Sequence, residues 1–410
     1  GLCAGCVVGL LRLSHDRAAA RVALWLEEWR EVWWTVPIWF GVLVALAVIL
    51  RRIVREEPLI SGSGIPQTEL ALAGRLSFTW WRVLLAKFLG SWLALFGGLA
   101  LGREGPSIQM GGAVGAGFHA LWRPAAPHAL TGSPYVVAGA VAGLAAAFGA
   151  PAAGVLFAFE EMKSRRDTSL IVAACASAIG AHLMIRIVFG MGRILPFAGF
   201  EAPPLSSFWI VALEGAVFGV LGVGYNKTLL WLHDREAGQT LIPDRWRALP
   251  PLLLAGCLAL FAPLLIGGGE SLIIFVGEHD VALKTLILLL AFKYLFAQYS
   301  TVAAIPGGLL MPILCLGALW GRLWAELPVS ALAAHGLASG SVQPYVLFGM
   351  VSYFAATVRA PLTGIVLVTE MSGTYTCLPG SLLAGLIACK VANLLHCPPV
   401  YDSLKERIRL

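Results

Sequence analysis

Long apolar stretches recur along the whole 410-residue chain, and they constrain its fold more than any other feature. The stretches are 36–50, 83–101, 129–159, 170–188, 210–223, 252–266, 282–296, 362–368 and 382–395. In lipid the backbone must satisfy its own hydrogen bonds, which only helices and closed barrels achieve. Most of the stretches are longer than a barrel strand, which has about 9–11 residues. They therefore predict an all-α polytopic membrane protein and exclude the two soluble domains that length alone would suggest.

Composition and charge agree with a membrane protein. Hydrophobic residues make up 58% of the chain and charged residues 13%, whereas roughly a quarter of a soluble chain is charged. The net charge is +6, and the basic residues gather in short connections at 51–55 and 163–166. This pattern is typical of loops on the cytoplasmic side, not of a nucleic-acid surface. Tryptophans near the ends of the stretches predict interfacial belts; they are Trp33, Trp34, Trp80, Trp81 and Trp122.

The eight cysteines do not predict a chemical site. Cys3 and Cys6 have the spacing of a redox motif, but they lie in an apolar segment without a neighbouring βαβ pattern. Small residues that pack between helices explain them better. We expect no structural disulfide, no metal site and no cofactor.

An acidic residue at membrane depth is the first feature that suggests chemistry. Glu104 lies in the sequence Gly-Arg-Glu-Gly-Pro at 102–106, directly after the apolar stretch 83–101. Intramembrane acids usually face a protein cavity and mark an ion or proton path. Because proline favours the first turn of a helix, Glu104 is predicted at a helix N-terminus, where unpaired N–H groups attract an anion. The alternative is a helix cap that is paired with Arg103 or with another basic residue and has no transport role.

A second glycine-rich turn carries a hydroxyl group. Ser63 lies in Gly-Ser-Gly-Ile-Pro at 62–66, before a short helix that is interrupted at 73–75. A half-helix that ends in the membrane with a hydroxyl at its tip is a donor set for an anion. By itself the motif could also be a plain turn, or the nucleophile of an intramembrane serine hydrolase. A hydrolase needs a base at membrane depth, yet most of the eight histidines, among them His15, His128, His233, His279 and His335, lie in or near polar connections.

The two halves of the chain share sequence patterns in the same order. Gly-x-x-x-Pro at 102–106 recurs at 308–312, 206 residues later. Ala-Pro-x-x-Gly followed by a glutamate recurs from 150–160 to 360–370, 210 residues later. Segments interrupted by Gly and Pro at corresponding places in two halves indicate a midplane site between transporter repeats. The segment 305–312 has no acid, so it offers only backbone N–H groups.

These matches predict a duplication. The stretch 189–207 is rich in glycine and proline and divides the chain near its middle. We therefore expect a first transmembrane repeat at 1–188, a connection at 189–207 and a second repeat at 208–410.

Further charged and polar residues allow two interpretations each. Glu160 and Glu161 end an apolar stretch, and a solvated helix end paired with Lys163 or Arg165 would explain them. Tyr401 follows a proline pair that would turn the chain back toward the protein, although tyrosines at such positions are often interfacial. Lys293 and Lys390 lie in apolar stretches, where we expect snorkelling or pairing with a carboxylate such as Glu370. Nine residues follow Tyr401, so we expect no C-terminal regulatory domain.

Together the motifs resemble the CLC family of chloride channels and chloride/proton exchangers. Four separated motifs appear in the family's order: Gly-Ser-Gly-Ile-Pro at 62–66, Gly-Arg-Glu-Gly-Pro at 102–106, a form of Gly-x-Phe-x-Pro at 308–312, and Tyr401. The resemblance implies two inverted-topology repeats of tilted, partly discontinuous helices. It also implies a homodimer with one separate pathway in each subunit.

The resemblance implies roles for particular residues. Ser63 and Tyr401 would donate hydroxyl groups to a central chloride, together with the N–H groups of Leu309 and Leu310 and with Gly105. Glu104 resembles the family's external gating glutamate. Glu161 resembles its internal proton-transfer glutamate, which exchangers have and channels lack, and Glu160 resembles the neighbour that lines the internal proton route.

Position 310 departs from the family pattern. Leu310 stands where the family has phenylalanine, so the N–H group remains but the ring that would narrow the pathway is missing. Ser63 argues against the fluoride-exporting branch, which replaces this serine, and a proline there would have suggested nitrate.

The resemblance implies a transporter, not an enzyme. We expect a secondary active exchanger of chloride for protons in a bacterial inner membrane, with chloride as substrate and no cofactor. A passive chloride channel or a fluoride/proton antiporter of the same fold are the alternatives.

Overall fold

The computed structural model describes residues 1–27, 32, 34–126, 128–163, 167–197, 200, 202–334 and 342–408. Predictions that concern Trp33, the basic stretch 164–166 and His335 lie outside these residues. The helices of the first half are α1 (Leu2–Glu27), α2 (Thr35–Glu56), α3 (Ile65–Leu72), α4 (Trp80–Phe96), α5 (Glu104–Trp122), α6 (Pro134–Phe148), α7 (Pro151–Glu160) and α8 (Thr168–Leu183).

The helices of the second half begin after residue 207. They are α9 (Phe208–Gly238), α10 (Leu249–Phe261), α11 (Glu270–Glu278), α12 (Leu283–Val302), α13 (Leu310–Trp324), α14 (Ser330–Ala334), α15 (Gln343–Val358), α16 (Pro361–Ser372), α17 (Leu378–Leu394) and α18 (Val400–Glu406). Across the described ranges there is no β-strand, and the single isolated β-bridge joins Gly102 to Gly308. The predicted all-α polytopic fold is confirmed.

The fold contains both long and short apolar helices. Six helical segments of the described chain are long and apolar enough to cross a bilayer; they begin at residues 35, 168, 205, 283, 310 and 375. Helices α6, α7 and α16 are equally apolar but too short to cross alone. The chain therefore contains the discontinuous helices that the glycine and proline motifs predicted.

Glycine and proline set where two of the broken helices begin. Gly64 precedes α3 in the left-handed region with φ 93°, and Pro66 lies in the first turn of that helix. Gly269 precedes α11 with φ 104°. Only glycine adopts such values without steric cost, so the chain turns sharply at these two points and points a helix N-terminus into the protein.

Small residues hold the central helices close together. Gly111 of α5 and Gly139 of α6 stand so near that a Cβ on either would overlap the carbonyl group of the other. Gly317 of α13 and Gly349 of α15 repeat this contact in the second half. Close backbone approach through small residues is the usual packing of membrane helices.

Candidate functional site

The two Gly-x-x-x-Pro segments meet at the centre of the molecule. Gly102 N donates to Gly308 O at 2.7 Å, and Gly308 N donates to Gly102 O at 2.7 Å. This pair of hydrogen bonds holds the first residues of α5 and α13 side by side. The first N–H groups of a helix have no intrahelical acceptor, so the contact brings two sets of unpaired donors together.

Glu104 lies at this meeting point. It is the first residue of α5, and its side chain is 1% exposed. The backbone N–H groups of Glu104 itself and of Met311 face its carboxylate. Its Oε2 atom has no hydrogen-bond partner within the described residues. A carboxylate is therefore held between two helix N-termini, in a position suited to any small anion.

Arg103 does not pair with the neighbouring glutamate. Its guanidinium group is buried and binds Asp16 at 3.1 Å and Glu270 at 2.7 Å. These contacts tie α1 to the start of α11. The helix cap paired with Arg103, the alternative that the sequence left open for Glu104, does not occur in the described part of the chain.

Ser63 and Tyr401 bring two hydroxyl groups to the same region. Both side chains are buried, and their hydroxyl groups approach each other. Neither oxygen has a hydrogen-bond partner of good geometry among the described residues. A Cβ added to Gly105 would overlap Ser63 Oγ, so Ser63 lies directly against the start of α5. Buried donors without acceptors are costly, which favours a ligand that accepts hydrogen bonds.

The structure decides between the alternative interpretations of Tyr401 and Ser63. Tyr401 is fully buried, so it is not an interfacial tyrosine. Ser63 Oγ contacts no histidine in the described residues, so the hydroxyl–base pair of a serine hydrolase is missing there. Leu309 and Leu310 are buried at the start of α13, where their N–H groups belong to the unpaired set.

Two cavities approach the site and share no lining residue. The first, here called the Glu104 cavity, has a volume of about 530 Å³ and is lined by Arg103, Glu104 and Met311 among others. The second, the Ser63 cavity, has a volume of about 580 Å³ and is lined by Ser63 and Leu309 among others. Residues that carry unpaired donors and the buried carboxylate are thus divided between the two linings.

The two cavities carry opposite charge. Three carboxylates line the Glu104 cavity, those of Asp16, Glu104 and Glu270. No acid lines the Ser63 cavity within the described residues, and its charged lining residues are Arg51, Arg55 and Arg407. These three arginines form ion pairs with acids that do not line the cavity.

The ion pairs of Arg51 and Arg407 lie in or beside connections between helices. The hydrogen bond from Arg51 lowers the pKa of Asp244 below its ordinary value. Arg407 binds Asp234 at 2.8 Å.

Glu161 lies in a cluster of charged groups near the cavities. It follows α7 and is 5% exposed, and its charged neighbours are Glu69, Asp402, Lys163 and Lys405. Lys405 pairs with Glu69 and also with Asp402, the latter at 3.0 Å. Glu161 itself forms no ion pair in the described chain. The solvated helix end that the sequence left open does not describe this residue.

The same cluster connects the helices that present the hydroxyl groups. Glu69 belongs to α3, which begins beside Ser63, and Lys405 belongs to α18, which carries Tyr401. Their ion pair fixes one helix to the other. The carboxyl group of Glu161 therefore lies beside the ion pair that joins α3 to α18.

Glu160 and Glu370 each accept hydrogen bonds from the backbone of a helix in the opposite half. The carboxylate of Glu160 accepts from Leu362 N at 3.1 Å and Thr363 N at 2.6 Å, at the start of α16. The carboxylate of Glu370 accepts from Ala152 N and Ala153 N at 3.1 and 2.9 Å, at the start of α7. Each acid thus caps the helix of the opposite half, an arrangement that stabilises exposed N–H groups and the helix dipole.

The lysine predictions were partly wrong. Lys293 is fully buried and donates to the carbonyl oxygens of Leu265 and Gly267 at 2.9 and 2.7 Å. It neither snorkels nor pairs with Glu370. Lys390 is exposed, as snorkelling requires.

Three residues near the site were missed in the sequence. They are Lys87, Glu69 and Glu270. Lys87 interrupts the apolar stretch 83–101, and that signal was available. Glu69 and Glu270 come after the glycine turns of the two short helices, but their partners are distant in sequence and have no local signature.

Comparison with known proteins gives consistent relatives. Residues 40–393 match the profile of a family described as voltage gated chloride channel. A protein of Vibrio campbellii named H(+)/Cl(-) exchange transporter ClcA is 35% identical, over 98% of this chain and 87% of its own length. A protein of the same name from Klebsiella pneumoniae is 33% identical over 95% of this chain and 82% of its own length.

Solved structures share the fold. A slow cyanobacterial Cl-/H+ antiporter superposes with a TM-score of 0.90 at 29% identity, covering 99% of this chain and 96% of that one. A CLC-type fluoride/proton antiporter superposes with a TM-score of 0.71 over 98% of this chain and 96% of that one, at 19% identity. At that identity the second likeness shows the fold alone.

Proposed function

The chain belongs to the voltage-gated chloride channel (CLC) family, and from this premise we propose that it is a secondary active transporter that exchanges chloride for protons. One observation carries the proposal. A buried carboxylate, that of Glu104, lies between two helix N-termini and lines one of two separate cavities, and Ser63, which lies against the neighbouring Gly105, lines the other. The names of relatives that are 33 to 35% identical over nearly the whole chain support the same activity.

The mechanism rests on competition between a side chain and an ion. When Glu104 is ionised, its carboxylate occupies the anion position beside the N–H group of Met311. When Glu104 is protonated, it no longer interacts favourably with the helix dipoles, and it moves toward the Glu104 cavity. Chloride then takes the vacated position, because unpaired N–H groups at a helix N-terminus bind a charged anion better than a neutral carboxylic acid.

Neutral hydrogen-bond donors also hold the chloride. Ser63 and Tyr401 donate their hydroxyl groups, and Leu309 and Leu310 donate N–H groups at the start of α13. Gly105 lets Ser63 approach α5, since any side chain there would displace the serine. The basic lining of the Ser63 cavity raises the local chloride concentration.

Protons follow a second route on the side of the Ser63 cavity. Glu161 receives a proton from Glu104 and passes it to solution through the charged cluster around Lys405. Glu160 lies next to Glu161 in the chain, and it contributes to the entrance of this route.

Leu310 shapes the chloride pathway in this protein. A leucine side chain is smaller than the phenylalanine of the family pattern and has no aromatic ring. We propose that the pathway is wider at this point, so that chloride passes faster and anions are discriminated less strictly.

The protein is a multi-pass integral membrane protein, and we propose a bacterial inner membrane as its location. Apolar side chains on α8 and α17 face outward, among them Ile179 and Leu386, which are 54% and 47% exposed. Lipid covers such surfaces in part. The remainder would form the contact of a homodimer in which each subunit has its own pathway.

Reconstitution tests the proposal directly. Purified protein is placed in liposomes with an outward chloride gradient, and the internal pH and chloride are recorded together. Exchange predicts that chloride efflux drives protons inward against their own gradient. A passive channel would release chloride without moving protons, and parallel vesicles with fluoride would reveal a fluoride/proton antiporter.

A further inference from the structure

Two lysines are buried near the site without a carboxylate partner. Lys87 in α4 and Lys293 in α12 are both 0% exposed. Within the described ranges no acidic side chain faces either of them. A buried amino group is costly unless its hydrogen bonds are satisfied. Neither lysine takes part in the mechanism above, so their hydrogen bonds have to explain why they are there.

Each lysine holds the loop in front of one short broken helix. Lys87 Nζ donates to Ile60 O at 2.8 Å and to Gly62 O at 2.7 Å, just before α3. Lys293 Nζ makes the corresponding bonds to the loop before α11, at 2.9 and 2.7 Å. Gly62 and Gly267, whose carbonyl groups accept these bonds, have φ angles of 65° and 64°. The two loops therefore share one backbone conformation and one lysine support.

The loops differ in the residue that comes after this glycine. Ser63 follows Gly62, whereas Gly268, which has no hydroxyl group, follows Gly267. Gly62 O also accepts a hydrogen bond from Gly307 N at 3.0 Å. The carbonyl group that Lys87 holds is thus bonded to the segment that leads into α13.

The loop supported by Lys293 leads to a different contact. It continues into Glu270, whose carboxylate binds Arg103 at 2.7 Å on the side of the Glu104 cavity. The loop itself, residues 265–269, contains no hydroxyl side chain. Loss of Lys293 would therefore disturb a charged contact at a cavity wall, not the neutral donors of the anion position.

We propose that Lys87 is a positioning residue for the anion site and that Lys293 is not. By fixing the carbonyl oxygens of Ile60 and Gly62, Lys87 directs Ser63 Oγ toward the anion and holds the start of α13 against it. It also keeps two carbonyl oxygens from turning toward the anion and repelling it. This inference rests on the proposed function in one respect, that chloride binds beside Ser63.

The two lysines supply a matched pair of variants. In Lys87→Met and Lys293→Met the same number of hydrogen bonds is lost at the same degree of burial, so the thermal stability of the purified full-length protein should fall by similar amounts. Titration calorimetry then measures chloride binding. Lys87→Met should raise the chloride Kd by about tenfold, equivalent to about 1.4 kcal/mol, and Lys293→Met by less than about twofold.

A conservative variant separates positioning from general damage. The amide group of Lys87→Gln can still donate two hydrogen bonds, so this variant should recover part of the chloride affinity. It also replaces Lys87→Met if that protein does not fold. Unchanged chloride affinity in Lys87→Met with lowered stability would overturn the inference. So would an equal loss of affinity in the Lys87 and Lys293 variants, with glutamine compared at both positions if Lys87→Met does not fold.

The test distinguishes this inference from the proposed function. If wild-type protein binds chloride but moves no protons in liposomes, the exchange proposal fails while the role of Lys87 remains measurable. If wild-type protein exchanges the ions and Lys87→Met keeps its affinity, only the role of Lys87 is refuted.

Discussion

The two halves of this protein share a scaffold but not its chemistry. Lys87 and Lys293 support loops of the same conformation. Gly64 and Gly269 begin the adjoining short helices with φ angles of 93° and 104°. Glycines also pack α5 on α6 and α13 on α15 in the same manner. The backbone that produces broken helices is therefore present twice.

Three polar or acidic side chains of the proposed site occur in the first half only. At three corresponding places the first half has a polar or acidic residue where the second half has none, counting along the chain with offsets of 205 to 210 residues. The pairs are Ser63 with Gly268, Glu104 with Leu310 and Glu161 with Met371.

This difference between the halves fits the proposed exchange of two kinds of ion. Each half supplies helix N-termini, which attract an anion whatever the side chains. In the proposed mechanism only the first half supplies the carboxyl groups that carry a proton. Anion binding would thus be shared between the halves, whereas coupling to protons would depend on one of them. Single-residue variants test that division, beginning with the largest expected effect.

Replacing Glu104 should remove coupling altogether. In Glu104→Gln the side chain cannot ionise, so it no longer competes with chloride and no longer carries a proton. Proton movement should fall to the level of empty liposomes while chloride flux remains. Simultaneous recording of pH and chloride measures both. The control is Leu310→Met at the corresponding place in the second half, which should keep coupled transport. Loss of coupling in this control would mean that proton coupling does not depend on the first half alone.

Replacing Glu161 should affect protons more than chloride. In Glu161→Gln the internal proton carrier is lost but the anion donors are untouched, so proton flux should fall by at least about tenfold, the factor that corresponds to about 1.4 kcal/mol. Chloride flux should stay close to that of wild type. Met371→Leu is the matched change in the second half and should leave both fluxes unchanged. Full proton coupling in Glu161→Gln would contradict the role given to this residue.

A methyl group at Gly105 should weaken chloride binding. In Gly105→Ala the new Cβ would overlap Ser63 Oγ and force the serine away from the anion. We expect the chloride Kd measured by calorimetry to rise by several-fold to about tenfold. Gly224→Ala, where no atom lies within 4 Å of the added Cβ, is the neutral control. Equal affinity in the two variants would mean that Ser63 is not a chloride donor.

The smallest effects are expected at the pair of helix caps. Glu160→Gln and Glu370→Gln each weaken hydrogen bonds to the start of a helix in the opposite half, which typically costs about 0.5–2 kcal/mol for a lost cap. Both should lower the melting temperature by a few degrees. Only Glu160→Gln should also slow proton transport. If both variants slow it equally, Glu160 acts through the cap alone and not through the proton route.

Sequence patterns were sufficient for the broken helices and for the residues at their tips. Gly64, Glu104 and Tyr401 could be placed because glycine, proline and an acid in an apolar stretch each have a local physical meaning. The structure puts Glu104 and Tyr401 in the buried centre, as the motifs predicted.

Contacts with backbone carbonyl groups could not be predicted in the same way. Lys293 was expected to reach water or a carboxylate, but its acceptors are the carbonyl oxygens of Leu265 and Gly267. Every residue has a carbonyl group, so such acceptors leave no pattern in a sequence. The capping of α16 by Glu160 was missed for the same reason, since its partners are N–H groups about 200 residues away.

The central claim is that the ionised Glu104 side chain and an anion compete for one position between the N-termini of α5 and α13. Bromide replaces chloride in most anion sites and is located directly by anomalous diffraction, so crystals of Glu104→Ala grown in bromide give the most direct test. The account predicts an anomalous peak where the carboxylate lies in the wild-type protein, beside Met311 N. Crystals in which the former carboxylate position beside Met311 N shows no anomalous peak would contradict it.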